Sequence, residues 1–430
     1  MLLIAITFFV LMLGGAPVAF FLGMAAVPYL MFESDLPLTI IPQQQFVGLD
    51  SFLIVSLPFF LLASNLMNEG GITERIVDFC NRLIGHIRGG LGHVAIIACM
   101  IISGLSGMAM SDAAAIGQLM IPSMKREGYP EDFAAAVVSS AAVNGPIIPP
   151  SFLFVLYCLV AGGVSLGAMF IAGLIPGVLI AAANMVVVGC YAHKHKFPVK
   201  KRATVKEIVV TFFRVFPATM VPLVMIGGMV LGVFTATEAA CIAVLVAYLV
   251  AFGFLRVFKF SKEGFSKIFK MIVDTGITVA SLLYILSGAM ILAWVITSAR
   301  IPHQVAEFIT GISSNPTMIL IMINVFLLIV GCFMDPTPSM LILAPILLPL
   351  VLKIGMDPIQ FGVVITLNLT IGLLTPPVGG ILFVVSTITK MPIDKIVRRL
   401  GPFMVADVAC LLAVTFIPWL TVWLPHLLMG

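Results

Sequence analysis

Charge is scarce in this chain. Only 10% of its 430 residues are Asp, Glu, Lys or Arg, 61% are hydrophobic, and the mean hydropathy is +1.19. A soluble domain needs a charged surface, so that class is excluded and a polytopic membrane protein is implied. The net charge of +4 identifies no partner, and nucleic acid is not expected as one. Paired cysteines are also missing. Cys80, Cys99, Cys158, Cys190, Cys241, Cys332 and Cys410 are scattered without a CxxC pair or a His at metal spacing, and read as small polarisable core residues. The N-terminus has no basic region and no cleavage pattern, so it reads as a retained first helix rather than a signal peptide. Catalytic bases are absent from the apolar segments. His86, His93, His193, His195, His303 and His426 all fall at expected loops or helix ends. Gly104-Leu105-Ser106-Gly107 fits a GxSG pattern, but an intramembrane serine protease needs a base beside its Ser and none is placed there.

What the chain does have is a pair of interrupted apolar stretches. The first, from Ser103 to Ser151, contains SGLSGMAMSDAAAIG and NGPIIPPS; the second, from Gly331 to Gly380, contains FMDPTPSMLILAP and IGLLTPPVGG. Asp112 lies ten residues before Pro122 as Asp335 lies ten before Pro345, an offset of 223; Gly145 precedes Pro149-Pro150 as Gly372 precedes Pro376-Pro377, an offset of 227. One motif is written twice.

Around these stretches the chain divides into two similar halves, 1–192 and 207–430, joined by a basic linker at 193–206. The first half reads as helices at 2–13, 16–32 and 51–69, an interfacial amphipathic segment at 73–90, a hairpin at 91–126, a broken helix at 131–163 and a helix at 165–191. Its hairpin arms are taken as about 13 residues, too short for a core of about 30 Å at 1.5 Å per residue, so the hairpin reads as re-entrant. The second half reads as helices at 208–233, 237–255 and 272–298, an interfacial segment at 302–313, a hairpin at 316–352, a broken helix at 358–389 and a last helix at 402–428. Each broken helix is interrupted by Pro, which removes a backbone donor and disfavours helix just before it.

Five crossings per half, about ten in all, give the halves opposite orientation. With 193–206 in the cytoplasm, the stretches 70–93, 124–132, 256–270 and 389–400 also fall there, and all are basic; those at 33–50, 162–167 and 299–315 fall outside and hold one basic residue, Arg300. Both termini are then outside, and the two hairpins enter from opposite sides. An inverted repeat with discontinuous helices is the pattern of a secondary transporter.

The chemistry follows from the breaks. Unwound backbone in a bilayer needs protein, water or an ion to satisfy it, and freed carbonyls and hydroxyls suit a small monovalent cation. Half-helix N-termini suit an anion. Two cation sites are expected: one from Ser103, Asn144, Gly145 and Pro149 with Asp112 nearby, the other from Gly331, Gly372, Thr375 and Pro376 with Asp335 nearby. Asp112 and Asp335 read either as N-caps of the second hairpin arms or as ion ligands, and the two roles are compatible. Each Gly or Pro taken alone also fits a simple helix kink. Substrate contacts should break the symmetry of the repeat. Ser106 faces Ile329 at offset 223 and Ser151 faces Val378 at offset 227, so these two Ser, with the tip at Asp335–Pro338, are the substrate candidates; the competing role for each Ser is a hydrogen bond to its own helix backbone. Asp407 is expected to pair with Arg398, Arg399 or a lipid-level group. A channel lined by the same breaks and an H⁺-coupled carrier using Asp112 or Asp335 are the alternative functions.

The double motif, SGLSGMAMSDAAAIG with NGPIIPPS and FMDPTPSMLILAPILLP with IGLLTPPVG, resembles the large membrane (M) subunit of tripartite ATP-independent periplasmic (TRAP) transporters over the whole chain. The resemblance implies an all-α elevator fold of the ion-transporter superfamily, Na⁺ as the coupling ion at about two sites, and a bacterial inner-membrane location. It also implies a separate four-helix Q subunit, a periplasmic substrate-binding P subunit, and an organic acid substrate such as sialic acid or a C4-dicarboxylate. Segments 91–163 and 316–389 would form the transport domain. The remainder would form scaffold and arms, with the interfacial segments 73–90 and 302–313 as the arms.

Overall fold

The computed structural model describes residues 2–34, 36–69, 71–197, 199, 201–254 and 262–429. Among them there is no strand. Twenty α-helices follow in order: α1 (Leu2–Leu13), α2 (Val18–Phe32), α3 (Ile40–Leu49), α4 (Phe52–Glu69), α5 (Ile72–Ile84), α6 (Gly90–Ser106), α7 (Ala109–Arg126), α8 (Glu131–Ala141), α9 (Phe152–Ala161), α10 (Leu166–Lys194), α11 (Val205–Val230), α12 (Ala236–Leu249), α13 (Lys262–Ser298), α14 (Ile301–Ile312), α15 (Pro316–Phe333), α16 (Pro336–Lys353), α17 (Pro358–Gly372), α18 (Gly380–Thr389), α19 (Ile393–Phe416) and α20 (Trp419–Met429). Seven are long and apolar enough to cross a membrane, or up to eight spans if the bent pair α3 and α4 counts as one.

The starts of these helices follow from local chemistry. Thr204 and Thr235 each cap a helix through a reciprocal box with Glu207 and Glu238. Asn315 and Asp357 accept backbone N–H groups at the starts of α15 and α17, at 2.9 and 2.7 Å. α5 carries its apolar residues on one face, burying Ile72, Ile76 and Cys80, while Arg82 faces outward and pairs with Asp78 at 3.2 Å and Glu207 at 3.6 Å.

The helices sort into two packed groups. α1–α4 and α11–α13 form one: α12 lies on α4, and α13 lies on α2, α3 and α4. α6–α10 and α15–α20 form the other, with α8 and α17 at its centre, buried on nearly all sides. α5 and α14 connect the groups and touch both. The expected transport segments 91–163 and 316–389 lie within this second group. α10 packs on α6, α9 and α17, and α19 packs on α8, α17 and α18, because each has an apolar face fitted to the broken helices. α20 packs on α10, α17 and α19, and α10 also touches α11 of the first group.

Several boundaries also differ from expectation. α3 occupies a stretch read as a loop. The last expected helix begins at Ile393, taking in basic residues read as a connecting stretch, and is interrupted before Trp419. The basic stretch at 256–270 lies outside the described residues up to 261. The first hairpin turns at Gly107 and Met108, so its arms have 17 and 18 residues. At 1.5 Å per residue these are about 26 Å long, and arm length alone does not distinguish a hairpin from a crossing pair. What places the tip is its packing: a Cβ on Gly107 would lie 2.4 Å from the Pro150 carbonyl oxygen, so the turn touches the break between α8 and α9.

The helix starts also reset the register of the repeat. Ala109 and Pro336, Glu131 and Pro358, and Leu166 and Ile393 are each 227 residues apart. The offset of 223 for the Asp pair is therefore displaced by one helical turn. Asp112 is the fourth residue of α7 and matches Ser339, the fourth of α16, while Asp335 matches Met108. Ser106 accordingly faces Phe333 rather than Ile329. Gly104 faces Gly331, and Pro122 faces Pro349.

Candidate functional site

The first centre is built where the hairpin tip meets the first break. Gly107 turns the chain with φ +66°, a conformation that favours glycine, and its close approach to Pro150 leaves no room for a side chain. This places the last turn of α6 beside the first turn of α7. Ser103 donates to Asp112 Oδ2 at 2.7 Å, and Ser106 donates to Asp112 Oδ1. The Asp112 side chain is fully buried. It is not the cap of α7, a position held by Met108; it lies within the first turn, where the positive end of the helix dipole favours a carboxylate.

The break brings the other residues to the same place. After α8 the chain makes a short 3₁₀ turn, Ala142–Asn144, and leaves helical geometry until Phe152. A Cβ on Gly145 would sit 2.7 Å from Ala109 N and 2.9 Å from Asp112 Oδ2, so this glycine lets the broken backbone lie directly on the carboxylate. Asn144 is fully buried; its amide donates to the Ala141 carbonyl at 3.3 Å, and its Oδ1 has no partner. The Pro149 carbonyl lies 3.5 Å from where a Gly104 Cβ would be, next to Ser103. Ser103, Asp112, Asn144, Gly145 and Pro149 are thus gathered at one point. The orphaned Asn144 oxygen, the carboxylate and the unwound carbonyls form an all-oxygen donor set, which fits a small monovalent cation.

The second centre is arranged differently. Gly331 on α15 and Gly372 at the end of α17 meet backbone to backbone: a Cβ on Gly372 would lie 2.5 Å from Gly331 Cα. Val378 N donates to the Cys332 carbonyl at 3.2 Å, which ties the second break to the second hairpin. Thr375 continues the end of α17 through Thr375 N to the Gly372 carbonyl at 2.9 Å, and Pro376 begins the break. Both Pro149–Pro150 and Pro376–Pro377 peptide bonds are cis. Asp335 is exposed and caps α16, accepting from Thr337 N at 2.9 Å. The position equivalent to Asp112 holds Ser339, fully buried with an unpartnered hydroxyl. The sequence pattern pointed to Asp335 because both Asp residues precede a Pro by ten; helix register identifies Ser339 instead.

Ser106 and Ser151 line one small cleft with Leu57, Phe60 and Leu61 of α4, where the two helix groups face each other. Its volume of about 20 Å³ admits a water molecule and not an organic acid. Ser151 caps α9, accepting from Phe154 N at 3.2 Å and donating to the Pro146 carbonyl at 2.5 Å. Ser106 is engaged by Asp112 and accepts from Met108 N at 3.3 Å, and no His stands beside it as a protease would need. Among the described residues no group of His, Cys, Asp or Glu is arranged to hold a metal ion.

Asp407 overturns the expected pairing with Arg398 or Arg399. It is fully buried and accepts from Ser140 Oγ at 2.9 Å and Asn184 Nδ2 at 3.0 Å. Arg399 instead pairs with Asp132 at 2.5 Å and lies over the Tyr191 ring. Arg399 and Asp407 are eight residues apart on one helix, about 12 Å along its axis. Charge in the sequence suggested a near neighbour, and the partners came from two other helices.

Comparison with known proteins shows the family and the fold. The sequence profile of the family described as "Tripartite ATP-independent periplasmic transporter, DctM component" matches residues 5–420. The chain is 37% identical to the sialic acid TRAP transporter large permease protein SiaM of Vibrio cholerae, covering 98% of this chain and 97% of that one. It is 36% identical to the 2,3-diketo-L-gulonate TRAP transporter large permease protein YiaN of Escherichia coli, covering 94% of each. The fold resembles the solved structure of the Neisseria gonorrhoeae MtrF efflux pump, with a TM-score of 0.63, 11% identity, and coverage of 96% of this chain and 94% of that one. It also resembles the Alcanivorax borkumensis YdaH transporter, with a TM-score of 0.59, 12% identity and 89% coverage of each chain. The chain is a multi-pass membrane protein and not an enzyme; it belongs to the DctM family of large permease subunits of tripartite ATP-independent periplasmic transporters.

Proposed function

We propose that this subunit carries out Na⁺-coupled uptake of an organic acid across the bacterial inner membrane, working with a small four-helix membrane subunit and a periplasmic substrate-binding protein. The observation that carries the reading is the meeting of Asp112, Ser103, Asn144 and Gly145 at the tip of the first hairpin. Na⁺ would take the unpartnered Asn144 oxygen and the freed carbonyls there, and a second ion would take the Gly331–Gly372 contact with Thr375 and Pro376. The carboxylate of Asp112 offsets the charge of the first ion inside the membrane.

The substrate class is supported by chemistry at the same depth. Relatives are named for sialic acid, C4-dicarboxylate and 2,3-diketo-L-gulonate, which all carry a carboxylate. α7, α9, α16 and α18 all begin at the tips and breaks, and helix N-termini favour an anion. The two helix groups, joined by α5 and α14, supply an elevator: α6–α10 and α15–α20 move against α1–α4 and α11–α13. Ser106, Ser151 and Asp335 meet the substrate once that movement widens the cleft beside α4. On this reading about ten crossings form two oppositely oriented halves, with both termini in the periplasm and a hairpin entering from each side, which the sorting of basic stretches to one face supports.

The test is uptake into proteoliposomes containing the complete transporter, with its binding protein supplied outside. A Na⁺ gradient alone should drive accumulation of a carboxylate substrate. Accumulation driven by a pH gradient and indifferent to Na⁺ would establish the H⁺-coupled reading, and flux that neither saturates nor needs the binding protein would establish a channel.

A further inference from the structure

A second fully buried carboxylate is not among the residues of either centre. Asp407 sits in the middle of α19, between Ser140 of α8 and Asn184 of α10. A carboxylate offers about four acceptor positions, and Asp407 receives one donor on each oxygen. No Lys, Arg or His among the described residues forms an ion pair with it. Burying an ionised carboxylate without a cation is costly enough that such groups neutralise instead.

The geometry of the donors points to a proton as the neutralising species. At Asp112 the broken backbone at Gly145 lies directly on the carboxylate. At Asp407 the donors are side chains, and the two helices that carry the carboxylate and the amide, α19 and α10, continue past the site in both directions with their carbonyls consumed by helical hydrogen bonds. Ser140 is the last residue but one of α8, and Asn184 Oδ1 has no partner. The two partners suit a neutral acid. The Asn184 amide is a donor and serves the carbonyl oxygen of the acid, Oδ1. Ser140 is both donor and acceptor, so the 2.9 Å contact to Oδ2 serves either state. In the neutral state the acid O–H donates to Ser140 Oγ, whose own hydrogen turns to a carbonyl one helical turn back.

The charged groups on the packed helices leave this arrangement undisturbed. α17 and α18 carry no titratable residue. On α8, Glu131 and Asp132 lie at its start, and Asp132 is taken by Arg399. The titratable residues of α10 lie beyond Asn184, from Cys190 to Lys194, and His426 is on α20. Cys410, one turn along α19, is a thiol and carries no positive charge to offset the carboxylate.

We propose that Asp407, with Ser140 and Asn184, is a proton-binding site within the moving helix group, carrying a neutral acid during transport. Losing that proton puts an uncompensated charge at the junction of α8, α10 and α19 and halts the cycle.

Infrared difference spectroscopy on the complete transporter in liposomes tests this, and needs no Na⁺ gradient, so it succeeds or fails independently of the coupling ion. A protonated carboxylic C=O band should be present at neutral pH, survive Asp112→Asn and vanish in Asp407→Asn. Its absence from wild type at neutral pH overturns the proposal, as does a band that is lost on adding Na⁺ at constant pH. In uptake, wild type should fall about tenfold per pH unit once Asp407 ionises, the slope for one proton, while Asp407→Asn stays active and flat with pH. A folded Asp407→Asn transporter that is inactive at every pH overturns it. If Asp407→Asn does not fold, Ser140→Ala assigns the band by moving its frequency; a band that ignores Ser140→Ala belongs to another carboxyl, and the proposal fails.

Discussion

Asp112 and Ser339 occupy the same place in the two halves, the fourth residue of the second hairpin arm, 227 residues apart. One is a carboxylate held by two hydroxyls; the other is a hydroxyl with no partner. The second arms therefore start in the same register while only one of them carries a carboxylate at this position. Asp112→Asn should raise the Na⁺ concentration for half-maximal uptake by about tenfold or more, since a charge-assisted hydrogen bond contributes about 1.5–3 kcal/mol. Ser339→Ala should leave thermal stability equal or higher, because it removes a buried unpaired hydroxyl. A melting temperature lowered by several degrees would show that Ser339 has a partner.

The two glycine contacts should be intolerant for a steric reason. Gly145→Ala would drive a methyl group against Ala109 backbone, and Gly372→Ala would drive one against Gly331 backbone. Neither neighbour is a flexible side-chain end. Each variant should lose about 1–3 kcal/mol, the usual cost of overpacking, and thermal unfolding of the purified transporter measures it. Gly227→Ala, with open space around it, serves as the control and should melt like wild type.

Relative movement of the two helix groups can be stopped by a link between them. Phe60 on α4 and Phe170 on α10 stack edge to face with ring centroids 6.2 Å apart. In a background lacking the seven native cysteines, Phe60→Cys with Phe170→Cys and a short thiol-reactive linker should abolish uptake, and cleaving the linker should restore it. Uptake that persists in fully linked protein would exclude the elevator.

The start of α11 should depend on its capping box. The Thr204 backbone N–H donates to Glu207 at 2.9 Å, and the Glu207 backbone N–H donates to the Thr204 hydroxyl at 3.4 Å. Removing such a cap costs about 0.5–2 kcal/mol. Amide exchange in the first turn of α11 should therefore accelerate in Thr204→Ala relative to the rest of the helix, and unchanged exchange in that variant would exclude the box as what holds the helix start.

Composition and local pattern by themselves determined much of this protein. Scarce charge and long apolar runs exclude a soluble fold. Pro149-Pro150 and Pro376-Pro377 interrupt helices wherever they are placed, because proline lacks a backbone donor. The amphipathic period at 73–90 marks α5, which ends earlier, at Ile84, and the order of elements repeats in both halves. These are properties of a few neighbouring residues, so they are legible along the chain.

Only the tertiary structure decided what depends on residues distant in sequence. Helix register set the offset at 227 and separated Asp335, a cap on an exposed turn, from Asp112, a buried carboxylate. Asn184 and Asp407 meet across 223 residues because α10 and α19 pack side by side, and nothing in either local stretch specifies that contact. The same packing brings α10, α19 and α20 against the helices that form both centres. A buried polar group must find its partner, and the partner is set by which helices come together.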